Sequence, residues 1–77
     1  MRAEKPTLPE GTEWPEETRE WFEAWRQSRC TDHWDERQWQ YMFDTAIVHA
    51  LVYGSSDFSA LAQLHQREAF MGLSFED

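Results

Sequence analysis

Residues 14–39 read WPEETREWFEAWRQSRCTDHWDERQW, and they hold all five tryptophans of the chain: Trp14, Trp21, Trp25, Trp34 and Trp39. Phe22 lies among them. Each such ring is worth roughly 2–3 kcal/mol when buried, so this stretch organises the core. Its spacing also decides the fold class. Trp14, Thr18, Trp21, Phe22 and Trp25 recur at the 3.6-residue period of one helix face. Pro15 suits a first helical turn, where its missing N–H costs nothing. Glu16, Glu17 and Glu20 then sit near the positive end of the helix dipole, with Arg26 and Arg29 near the negative end. A first helix is predicted over residues 15–28.

The start of a second helix is better specified still. Asp35 is a good N-cap, and Gln38 three residues on completes a capping box. Trp34 and Trp39 then occupy the two positions of a hydrophobic staple. Trp39, Met42, Phe43, Ala46, Ile47, Ala50 and Tyr53 form a broad apolar stripe behind that cap. Gly54 is placed to end the helix in a left-handed conformation. Ser55, Ser56 and Asp57 offer the next cap, and a third helix is predicted over residues 57–71. Phe58, Leu61, Ala62, Leu64 and Ala69 are its apolar positions, and Gly72 is its stop. Leu73 and Phe75 are expected to fold back onto the core. No period-2 run argues for strands.

The expected architecture is all-α: a small three-helix bundle, residues 14–77, behind a flexible arm, residues 1–13, which holds two prolines, a glycine and scattered charge. Trp21, Phe22, Trp25, Trp39, Phe43 and Ile47 are its expected core.

A chain of 77 residues is marginal for a single core, so self-association is a natural source of extra stability. Cys30 is the lone cysteine, which excludes an internal disulfide and fits a reducing compartment. The N-terminus lacks the apolar run of a secretory signal. No stretch is long enough to span a membrane. These features predict a soluble, intracellular protein. The net charge is −8, which repels nucleic acid and anionic membranes at long range.

Catalytic and metal-binding patterns are missing. Cys30 and His33 have a C-x2-H spacing, but a zinc site needs a second close pair. His49 and His65 fall on different helices. A Cys–His nucleophile would need an orienting partner and an oxyanion site. Asp32, Asp35 and Glu36 lack the glycine turn of a calcium loop, and no glycine-rich phosphate loop is present. The reading is a protein that is not an enzyme, with no cofactor and no metal.

Two features point to binding instead. Arg19 and Arg26 are two helical turns apart and share a face, with Arg29 and Arg37 nearby. They are the candidate DNA contacts, although Glu16, Glu20 and Glu23 adjoin them and ion pairing along the helix is the plainer explanation. Residues 46–53, AIVHALVY, are apolar nearly all round. Such a helix is either central to a core or covered by another chain. Tyr41, Leu51 and Val52 fall off its main face and are the candidate subunit contacts.

The run Trp14-Pro15-Glu16-Glu17-Thr18, followed by Trp21-Phe22, Trp25-Arg26 and Ser28, resembles the opening of small terminase subunits of actinobacterial tailed phages. Asp35 with Trp39 is similar to the capped tryptophan that follows there. Residues 68–77, EAFMGLSFED, are similar to the family's closing Glu/Asp turn. Arg29 stands where the family usually has proline. The resemblance implies a non-catalytic, ring-like homo-oligomer that binds viral double-stranded DNA. It also implies regulation of the large terminase subunit during packaging, in the cytoplasm of the bacterial host cell. A rival reading keeps the acidity central: a small acidic phage protein that mimics DNA, inhibits, or adapts one protein to another.

Overall fold

The structure is a computed structural model, and it describes residues 5–74. Three α-helices carry the fold: α1 spans Glu16–Gln27, α2 Glu36–Gly54 and α3 Leu61–Ser74. Two 3₁₀ turns, Arg29–Thr31 and Phe58–Ala60, link them. No strand occurs among the described residues, and the fold is the all-α, three-helix arrangement expected. No helix of the described residues is long and apolar enough to cross a membrane.

Pro15 stands just outside α1 rather than in its first turn. Its carbonyl accepts the Arg19 N–H at 3.1 Å, which makes it the N-cap. The start of α2 is as read from the sequence. The Asp35 carboxylate accepts the Gln38 backbone N–H at 3.0 Å, and Gln38 Oε1 accepts the Asp35 N–H at 2.8 Å. Trp34 and Trp39 complete the staple edge to face, with ring centroids 5.0 Å apart.

That staple is part of the core. Phe22, Trp34, Trp39, Met42 and Met71 form a buried cluster, with Leu8, Trp21, Trp25, Tyr41 and Phe43 packed against it. Met71 is the contribution of α3, which also buries Leu64. Polar clamps hold α3 in place. Arg67 donates from Nε to Thr45 Oγ1 at 2.9 Å, and its guanidinium lies 4.1 Å from the centre of the Tyr41 ring. Trp21 Nε1 donates to Glu68 Oε2 at 2.8 Å, tying α1 to α3.

Three expectations need correction. Ile47, expected in the core, is 54 % exposed. The inward face of α2 runs through Trp39, Met42, Thr45, Ala46, His49 and Val52, and Ile47 is turned about 100° from Ala46 on that helix. Gly54 does not take the left-handed conformation; Ser56 does, at φ 56°. The N–H groups of Ser55 and Asp57 both donate to the Leu51 carbonyl there, at 3.3 and 3.0 Å. The third helix begins at Leu61 after the 3₁₀ turn and runs through Gly72 to Ser74. Leu73 therefore lies within α3, and Phe75 lies outside the described residues.

Residues 5–13 form neither helix nor strand, yet their contacts are specific. Lys5 Nζ donates to the carbonyls of Arg26 and Ser28 at 2.8 and 3.0 Å, and lies 2.8 Å from Thr31 Oγ1. Asp32 closes the group with an ion pair at 2.7 Å. The ammonium thus covers the negative end of α1. Trp14 Nε1 donates to the Pro9 carbonyl at 3.1 Å, closing a loop in which Gly11 supplies φ 86°.

Candidate interaction surfaces

The arginines read as DNA contacts divide into two kinds. Arg19 on α1, Arg29 in the first 3₁₀ turn and Arg37 in the first turn of α2 are exposed. Arg26 is half-buried and engaged inside the chain. It donates from Nε to the Pro6 carbonyl at 3.1 Å and from Nη2 to the Lys5 carbonyl at 3.2 Å, with Glu23 at 3.3 Å. Arg19 and Arg26 therefore do not present a shared pair of free cations.

The subunit-contact residues also separate. Val52 is 1 % exposed and belongs to the interior, so it is corrected out of any outward face. Leu51 is 43 % exposed. Tyr41 is half-buried, packed against Phe70 with ring centroids 5.2 Å apart. Ile47, Tyr53, Phe58 and Phe70 are exposed apolar side chains that the sequence reading did not assign to a surface. For Phe58 the cause is local: it sits in a 3₁₀ turn rather than in the helix whose stripe would have buried it.

Three adjoining surface depressions of about 690, 560 and 600 Å³ follow one another along the outer side of α2 and are together called the trough. The first two share Trp14 and Ile47, and the last two share Gln40 and Phe43. Residues 5–15 line one side, and α2 lines the other together with residues 31–35 at its start and Arg19 of α1. The end near Gly54 has an apolar strip of Trp14, Pro15, Ile47, Ala50 and Leu51, with Thr12, Glu13, Arg19 and Ser55 also lining it. At the other end Asp32, Asp35 and Glu36 surround Trp34, Trp39 and Phe43.

Behind the trough lies one buried titratable group. His49 is 5 % exposed, with Nδ1 at 2.8 Å from Thr18 Oγ1. Its ring stacks on Trp21 and Tyr53 at 4.6 and 4.4 Å. Burial pushes its pKa below the usual 6.5, against an upward pull from Glu68 and Glu17. Cys30 is half-buried and receives the Ser28 hydroxyl at 3.1 Å. Among the described residues, no three His, Cys, Asp or Glu side chains converge on a point that could hold a metal ion.

A family model described as "Phage terminase small subunit" matches the chain over residues 1–77. No curated protein and no solved structure matches it.

Proposed function

The chain belongs to the phage terminase small-subunit family, and from that premise we propose that it is a non-catalytic, self-associating component of the packaging machinery of a tailed phage. It acts in the cytoplasm of an actinobacterial host, recognises viral double-stranded DNA and regulates the large subunit. The observation that carries this reading is the match of the family model over the whole chain.

The surfaces offer residues for each task. Arg19, Arg29 and Arg37 are exposed and serve as the phosphate contacts. Tyr41 with Phe70, which is 45 % exposed, supplies an apolar ridge for self-association. Three arginines per chain are weak against a net charge of −8. Repetition of the patch around an oligomer multiplies weak contacts without any new one.

Two measurements on the purified chain test the proposal. Native mass spectrometry reports the oligomer, and a defined species above the monomer is expected, reduced by Phe70→Asp. Binding to viral packaging-site DNA is followed against salt. Real phosphate contacts weaken steeply with salt, and Arg29→Glu with Arg37→Glu abolishes the complex. A monomer that forms no DNA complex at any salt sinks the reading and favours the acidic mimic, which the net charge of −8 also suits.

A further inference from the structure

We infer that the trough beside α2 is a docking groove for a helix of a partner protein, apolar at one end and basic at the other. This rests on the trough's own geometry and charge, and stands whether or not the chain itself binds DNA.

The dimensions suit a helix. Glu36, Gln40, Ile47 and Leu51 lie along the open side of α2 and line successive compartments. From Glu36 to Leu51 is about 22 Å along the axis, or about four helical turns. Amphipathic helices bind such grooves through anchors at three- and four-residue spacing. Ile47 and Leu51, 54 % and 43 % exposed, are one turn apart and provide the matching ridge. Trp14 closes the groove over them.

The charge gives the groove a direction. Asp35, Glu36 and Asp44 line the middle and far compartments, beside the Asp32–Lys5 pair. Lys5 stands at that end too, but its ammonium is held by Asp32 and by two carbonyls of the chain. The rings beneath these acids are core side chains, Trp34 at 8 % and Trp39 at 6 % exposure, so the carboxylates are what an ammonium or guanidinium meets there. At the apolar end Arg19 and Glu13 offset each other. A basic turn followed by an apolar stripe complements this pattern. DNA phosphate is repelled at the acidic end.

The probe is a labelled synthetic peptide of about four turns, with leucines at helical anchor spacing and a lysine–arginine cluster at one end. Its affinity for the full-length chain is read by fluorescence anisotropy, beside a scrambled peptide of identical composition. The designed peptide binds, and the scrambled one binds about tenfold more weakly. Ile47→Glu and Leu51→Glu each weaken binding by about tenfold, and Glu36→Lys with Asp44→Lys weakens it further. Circular dichroism of each variant confirms an unchanged helix content. The glutamate variants are decisive because they add negative charge. If binding is unchanged or tighter in them, the peptide is held by net charge alone and the groove is refuted. Equal binding of the scrambled peptide refutes it too. So does a Leu51→Glu chain that loses its self-association while keeping the peptide, since the face is then a contact between copies.

Discussion

Gly54 and Pro15 meet so closely that a Cβ on Gly54 would stand 2.6 Å from the Pro15 Cγ. The last residue of α2 thus receives the N-cap of α1 directly, and this contact closes one end of the trough. Gly54→Ala sets two effects against each other. Alanine favours a helix by about 1 kcal/mol over glycine, while forcing a methyl into a filled space costs about 1–3 kcal/mol. The clash wins, and a net loss of about 1 kcal/mol is expected in urea denaturation. Gly72 is the control, since it is helical and nothing lies within 4 Å of an added Cβ. Gly72→Ala should stabilise by up to about 1 kcal/mol. Equal behaviour of the two variants would show that the Pro15 contact carries no weight.

Lys5 and Arg26 form a reciprocal clasp, each donating to backbone carbonyls at the other's end of the chain. The Lys5 side chain is only 16 % exposed, so its removal strands acceptors that water reaches poorly. Lys5→Met keeps the stem and deletes the charge. A loss of about 1–2 kcal/mol is expected, discounted for the more open Asp32 partner. Limited proteolysis within residues 6–13 should accelerate in the variant. Unchanged cleavage would mean that the ammonium does not hold this segment.

How far the sequence was legible depends on the range of the interaction. The capping box at Asp35 and the Trp34–Trp39 staple are contacts between residues a few positions apart, and both were readable. Ile47 was misplaced because periodicity defines a stripe but not its centre. The centre is set by what α1 and α3 present, and here they present partners for His49 and Thr45. Gly54 signalled a helix end correctly, but its lack of a side chain serves Pro15, 39 positions away in sequence. Arg26 was read only as a charge at the end of its helix, and nothing local pointed to Lys5, because a long-range clasp has no period. For the same reason the trough could not be read in advance: its second wall is the segment those two residues hold.

The capping box offers a stability test confined to one helix end. Asp35→Ala removes the acceptor for the Gln38 N–H and should cost about 1 kcal/mol. Gln38→Ala removes the reciprocal bond and should cost less, since the Asp35 N–H is exposed and water replaces the partner. The two changes should not add, because each bond orients the other. A double-variant cycle in urea measures that coupling. Full additivity would mean that the two bonds act separately.

His49 makes stability depend on pH in a range where carboxylates stay ionised. Its pKa is lowered in the folded chain by burial, with Glu68 of α3 and Glu17 of α1 pulling the other way. Well above 6.5 the imidazole is neutral both folded and unfolded, and stability does not change with pH on its account. As pH falls below 6.5 the unfolded chain takes up a proton that the folded chain still refuses. Stability is therefore lost on going down through the interval between 6.5 and the lower folded value. Model carboxylates titrate near about 4, so urea midpoints at about pH 7.5 and about pH 5.5 report on histidine, and comparison with a His49 variant separates it from His33 and His65. The native chain should have a lower midpoint at the more acid pH. His49→Gln retains a group that can pair with the Thr18 hydroxyl and cannot take the proton, so its midpoints should nearly coincide. An equal drop in both proteins would assign the acid sensitivity to another group.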